Sequence, residues 1–196
     1  MIKFAEDQDE ENDEKQPKSA FEKLLETRTI TIFGEINMKL AQEVTQKLLL
    51  LDADNDNPIK IFINSPGGHV ESGDTIHDMI QFVKSPVKVI GTGWVASAGA
   101  LIYAAADKEN RYSLPNTRFL LHQPAGGAMG QASDIAIEAE EIIKMRRRLN
   151  QIFADQTGQP IEKIEKDTDR NFWMSASEAV KYGLVTHIVQ SAGEVD

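Results

Sequence analysis

The stretch from Val89 to Ala106 carries no charge, and a segment of that kind has to be hidden from water. About 20 apolar residues span a bilayer as a helix, so length alone would allow a membrane crossing. Its composition argues otherwise. Gly91, Thr92, Gly93, Ser97 and Gly99 interrupt it, and Leu and Ile are sparse. The pattern reads as a buried strand, a glycine-rich turn and a buried helix. A strand and a helix buried in succession require a layered domain with a real core, and 196 residues suffice for one.

The flanking sequence keeps the same alternation. Thr29–Phe33, Ile59–Ile63, Val87–Thr92, Arg118–Leu121 and Val185–Val189 read as strands. Met38–Leu51 places Leu40, Val44, Leu48 and Leu51 on one helical face, and Thr75–Val83 does so with Ile76, Met79, Ile80 and Val83. Ala98–Ala106 is the buried helix. A long helix runs from about Ala132 to Gln156, with Gly158 as its stop signal. Its stripe of Ile135, Ile142, Met145, Leu149, Ile152 and Phe153 is too long for one small core to cover, so it should project and seek a partner. Ser175 and Glu178 form a capping box for a last helix. Alternation of this kind means an α/β layered domain with right-handed crossovers.

Composition removes several function classes. The chain has no cysteine, which excludes disulfides and thiolate metal sites. Its net charge of −10 offers no basic field for nucleic acid. Near the start only Lys3 is basic, and the run Glu6, Asp7, Asp9, Glu10, Glu11, Asp13 and Glu14 stands where an export signal would need apolar residues. That run repels itself and reads as a flexible acidic arm over residues 1–18, either a solvated tail or a guard at an entrance.

Three short motifs carry chemistry. Asn64-Ser65-Pro66-Gly67-Gly68 follows a strand, and paired glycines let backbone N–H groups face a ligand, as an oxyanion hole requires. Taken alone it is a turn. Ala96-Ser97-Ala98-Gly99 follows the buried strand with small neighbours that leave the hydroxyl accessible, and a helix begins there. Val95 departs from the Gly-x-Ser-x-Gly elbow, and a helix-capping serine is the plain alternative. Leu121-His122-Gln123-Pro124 puts an imidazole at the end of another strand, as a base or as a structural histidine. His69 follows the glycine pair, whereas His77 lies in a helix and His187 in a late strand. Gly68, Ser97 and His122 thus converge on the carboxyl ends of strands, where ligands bind in α/β sheets.

These motifs, with His122-Gln123-Pro124-Ala125-Gly126-Gly127, Gly130-Gln131-Ala132-Ser133-Asp134-Ile135 and Ser175-Ala176-Ser177-Glu178-Ala179-Val180-Lys181-Tyr182-Gly183-Leu184-Val185, resemble the successive signatures of the proteolytic subunit of the Clp protease. The resemblance runs from about Phe21 to Val189 at nearly constant spacing. It implies a crotonase-like α/β fold of stacked β layers with flanking helices, over residues 19–196, and a projecting helical handle at about 123–158. It implies a serine endopeptidase with Ser97 as nucleophile, His122 as base, and Gly68 and Ala98 as oxyanion donors. Gly67, Gly68, His69 and Val70 on one side, and Ala125, Gly126 and Gly127 on the other, would pair with an extended substrate. Two stacked heptameric rings of one subunit, a cytoplasmic setting, unfolded protein substrates and a hexameric Clp-type AAA+ ATPase follow from the same resemblance. It calls for no cofactor, no metal, no membrane and no nucleic acid.

The sequence departs from the family in one place that matters. The third catalytic position, an aspartate in the family, falls on Asn171. An amide can orient an imidazole but brings no charge. Asp169 lies two residues away. The resemblance assigns Asp169 and Arg170 to contacts between subunits. For the ATPase it assigns an apolar pocket from Phe62, Phe82, Ile90, Tyr112 and Leu114, with Lys60 and Thr92 as departures. Two other readings stay open. One is a crotonase-like acyl-CoA enzyme, which would not need Ser97 and His122 together. The other is a weakly active structural subunit of a mixed Clp particle, which Asn171 permits.

Overall fold

The computed structural model describes residues 19–127 and 129–195, and the expected acidic arm lies outside the described residues. The elements run α1 (Ala20–Glu26), β1 (Thr29–Phe33), α2 (Met38–Asp54), β2 (Ile59–Ser65), α3 (Val70–Phe82), β3 (Val87–Ala96), α4 (Ala98–Ala104), β4 (Arg111–Ser113), β5 (Arg118–Leu121), α5 (Ala132–Thr157), α6 (Ile161–Asp167), β6 (Phe172–Ser175), α7 (Ala176–Tyr182) and β7 (His187–Ile188). Alternation in β2 turns Ile59, Ile61 and Ile63 into the core and Lys60 and Phe62 to the other face. α2 buries Ala41, Val44, Leu48 and Leu51 against it, with Leu40 half-buried.

Strands β1, β2, β3, β4 and β7 form a parallel sheet in that order. The glycines expected to make a turn after Thr92 instead lie inside β3, which continues to Ala96. Gly93 makes this possible. It takes φ +60°, and the Asn64 side chain sits 2.8 Å from where its Cβ would stand. The strand bends there and changes partner. Val89–Gly91 pairs with β4, whereas Trp94–Ala96 pairs with β5. The sheet therefore forks, and β6 closes the second branch antiparallel to β5. The fork makes the stacked β layers, and the carboxyl ends of β2, β3 and β5 meet where it opens.

Arg111 locks this arrangement from inside. Its guanidinium is fully buried. It donates to the carbonyls of Ala106 at 2.8 Å and Ala104 at 3.0 Å, at the end of α4. It also donates to the Gln156 carbonyl at 2.9 Å and to the Gln156 side chain, near the end of α5. Two helix C-termini thus supply the negative potential that a buried cation needs. Burial still pushes its pKa down, and the charges of Asp107 and Glu109 oppose that shift.

Helix α5 has 26 residues, about 39 Å at 1.5 Å per residue. Every residue from Gln131 to Glu140 is exposed, while Leu149, Asn150, Phe153 and Ala154 are buried. The first part projects, as its stripe led one to expect. Gly158 ends it in the left-handed conformation at φ +75°. No helix among the described residues is long and apolar enough to cross a membrane.

Candidate active site

The register of two strand pairs builds the site. Ala96 on β3 lies opposite Leu120 on the parallel strand β5, so Ser97 and the end of β5 emerge side by side. The Ser97 N–H donates to the Leu120 carbonyl at 3.0 Å. On the other edge of β5, Leu121 pairs with Phe172 in antiparallel register. One step further, His122 faces Asn171. The His122 Nδ1–H donates to Asn171 Oδ1 at 3.0 Å, which leaves Nε2 as the proton acceptor.

Ser97 sits at φ +54°, ψ −121°, a conformation that costs a non-glycine residue about 1–3 kcal/mol. It makes no side-chain capping bond to α4, so the helix-cap alternative fails. The strain comes from an abrupt strand-to-helix turn that presents the half-buried hydroxyl instead of folding it back. Small residues make room for it. A Cβ on Gly67 would lie 2.6 Å from Ser97 Cβ and 2.9 Å from the Ala96 carbonyl. A Cβ on Gly73 would lie 3.1 Å from that of Ala98. No hydrogen bond joins Ser97 Oγ to His122, as is common before substrate arrives.

Gly67 and His69 flank Gly68 and make a parallel bridge with Ile36. The Ile36 N–H donates to the Gly67 carbonyl at 2.8 Å, and the His69 N–H to the Ile36 carbonyl at 2.9 Å. Alternation then turns the Gly68 N–H and carbonyl to the opposite side. Only glycine fits there, because a Cβ would stand 2.2 Å from the Ile36 carbonyl oxygen. Val70, expected in the same edge, opens α3, so its backbone is helical and the extended part ends at His69. His69 itself turns its ring to Ser72, at 2.8 Å, and Glu71, at 3.2 Å.

Opposite, Gln123 to Gly126 line a cleft of about 630 Å³ together with His122, Ile142, Asp169, Arg170 and Asn171. Ile142 reaches across from the projecting helix, and its Cδ1 would be 2.9 Å from a Cβ on Gly126. The Asp169 carboxylate pairs with Arg146 on α5 at 3.2 Å, and the His122 Nδ1 partner is Asn171. The loop is held by Gln123, which donates from its N–H to the Thr168 carbonyl at 2.6 Å and from Nε2 to the Asp169 carbonyl at 2.7 Å. Buried Thr168 bonds Asn150 of α5 at 2.9 Å. Sequence reasoning missed Ile36, Gln123, Arg146 and Asn150 as supports. Gln123 adjoins the histidine motif and had a signal, whereas Ile36 had none.

Of the five residues expected in an apolar surface pocket, Phe62, Ile90, Tyr112 and Leu114 come together, with Val189 and Val195. Phe82 lies outside that cluster and is 74% exposed at the end of α3. No group of metal-ligating side chains forms among the described residues.

A forked, mostly parallel α/β sheet that presents a strained serine beside an imidazole held by an amide oxygen has the layout of a serine hydrolase. Known proteins agree. The Clp protease family model matches residues 11–192. Subunit 2 of the ATP-dependent Clp protease proteolytic component from Gluconobacter oxydans is 65% identical over 175 residues, 88% of this chain and 78% of the relative. Subunit 3 from Rhizobium etli is 59% identical over 192 residues, 95% and 99% of the two chains. Solved ClpP1 from Listeria monocytogenes superposes with a TM-score of 0.82 at 57% identity, over 90% of this chain and 99% of that one. An asparagine-to-aspartate mutant of ClpP1 from Listeria monocytogenes gives 0.84 at 58% identity, over 89% and 98%. The chain belongs to the Clp protease family, and its enzyme class is that of the serine-type endopeptidases.

Proposed function

We propose that Ser97 is the nucleophile of this peptidase, His122 its general base, and Asn171 the residue that orients the imidazole. The observation that carries the reading is the His122–Asn171 bond at 3.0 Å, formed where strand register also delivers the strained Ser97. As Ser97 Oγ attacks a peptide carbonyl, its proton passes to His122 Nε2. The oxyanion accepts hydrogen bonds from the N–H groups of Gly68 and Ala98. His122 then protonates the leaving amine, and water hydrolyses the acyl-enzyme by the same route. The extended segment Gly67–His69 and the strip Ala125–Gly127 hold the substrate backbone as a strand between them.

On this reading the chain assembles into two stacked heptameric rings, with α5 as the handle between them and Asp169 and Arg170 near the ring contact. A hexameric Clp-type AAA+ ATPase feeds unfolded proteins to the chamber in the cytoplasm, docking on the pocket of Phe62, Ile90, Tyr112 and Leu114. Ser97→Ala tests the site. It should abolish hydrolysis of short fluorogenic peptides and leave particle size unchanged. Normal turnover in that variant would remove Ser97 as nucleophile.

Asn171 supports a second reading, in which the chain is a weakly active ring subunit alongside a second proteolytic subunit. Turnover of the pure chain, set against turnover of the mixture, separates the two. A large gain on mixing that survives Ser97→Ala supports the second.

A further inference from the structure

We infer that Ser191–Val195 is a built-in plug for the apolar pocket on the outer face of β2, β3 and β4, where it competes with an apolar segment of a docking partner. The inference rests on the reading of that pocket as the ATPase docking site.

Strand alternation creates the pocket. Ile59, Ile61, Val87, Val89, Arg111 and Ser113 point into the core. Phe62, Ile90, Tyr112 and Leu114 therefore face the other way, where a parallel sheet also needs a cover. Among the described residues no α-helix supplies one, and the cover is the chain after β7. Val189, whose N–H donates to the Ser113 carbonyl at 3.0 Å, delivers that chain to the face. It then turns over the face, and Val195 drops onto it. Ile90, Val189 and Val195 are 1%, 4% and 5% exposed, while Phe62, Tyr112 and Leu114 stay half-buried around them. An apolar cavity of about 170 Å³ remains beside the valine.

The plug is held by means that a competitor can undo. One short turn, Ala192–Glu194, shapes it. The Glu194 carboxylate accepts from the N–H of Ser191 at 2.8 Å, its hydroxyl at 2.7 Å, and the N–H of Gln190 at 3.1 Å. The Lys88 ammonium donates to the Val195 carbonyl. These bonds lie at or near the surface, where water replaces them at little cost. Among the described residues past Val189, Val195 is the one large apolar side chain buried there. A partner segment presenting a larger apolar or aromatic side chain offers the pocket the same chemistry over more area. Its apparent affinity is reduced by the fraction of time the plug is open.

The test uses the assembled full-length chain and a fluorescein-labelled, amidated Phe-Leu-Phe peptide, read by fluorescence anisotropy. Deletion of 191–196 removes the plug. Glu194→Ala keeps Val195 but undoes the turn, and so guards against a deletion that disturbs the fold. Both should bind the peptide at least fivefold more tightly than the parent, with hydrolysis of short peptides unchanged. Equal affinity in all three chains, lost on Phe62→Ala, would overturn the plug and leave the docking pocket standing. Absence of binding in all three would overturn the docking reading and the plug with it.

Discussion

Asn171 accepts a hydrogen bond from the imidazole N–H through a neutral oxygen, so it fixes the tautomer of His122 but brings no charge to stabilise the imidazolium that forms as Ser97 attacks. A carboxylate does both. Asn171→Asp should therefore raise peptidase turnover by more than a few-fold, if the particle stays assembled. The gain should fall short of the roughly 10⁴ that a trypsin-type enzyme loses in the opposite change, because the tautomer is already enforced here. Asp169→Asn should act differently. Its carboxylate pairs with Arg146, so the change should weaken that tie to α5 and the assembly more than the chemistry, while the backbone bond from Gln123 stays. Turnover unchanged by Asn171→Asp and lost on Asp169→Asn, in particles of normal size, would make Asp169 the third member. At this scale much was legible. Ser97 and His122 stand out in short motifs at strand ends, whereas Asn171 is reached only through the family resemblance, and the structure brings it to His122. Their supports could not, since Ile36 and Asn150 act through a backbone bridge and a buried side-chain bond that leave no local pattern.

Elements were legible where periodicity is long and hidden where structure is short or bent. β1 and β5 have the bounds that their β-branched and apolar runs suggest. α3 begins at Val70, earlier than expected, because Glu71, Ser72 and Gly73 carry no apolar period. β4 spans three residues and begins with a buried arginine, and β7 spans two. β4 gives no period-2 signal, whereas β7 lies within the expected strand Val185–Val189 and keeps only His187–Ile188 of it. From sequence β3 reads as a strand and a turn because glycine usually breaks a strand, whereas here Gly93 bends it and lets it pair on both sides of the bend. Arg111 shows how much a short strand can carry. Arg111→Met would leave three carbonyls and the Gln156 side chain without their donor. Each acceptor left buried and unpaired costs about 1–3 kcal/mol, so stability should fall by about 3 kcal/mol or more, measured by denaturant unfolding of the assembled protein. A loss under about 1 kcal/mol would mean that water or another side chain takes over those carbonyls.

The molecule as a whole is built to associate. Ile135, Ile137 and Ile143 stand 42%, 59% and 49% exposed along the projecting part of α5, a surface that a lone chain would keep out of water. Ile137→Glu with Ile143→Glu should split the particle or shift it to half its mass in sedimentation, while the described core stays folded. An unchanged mass would move the contact elsewhere. The projection of this helix was legible from the length of its stripe, but what covers it was not, because a partner's residues leave no mark in one chain's pattern. The same assembled particle gives the most direct test of the account. Incubation with a fluorophosphonate, followed by native mass spectrometry and peptide mapping, reads size and reactive residue together. The account predicts a multi-subunit particle with the adduct on Ser97, lost in Ser97→Ala. A particle that takes up no probe, or takes it up on another residue, would contradict it.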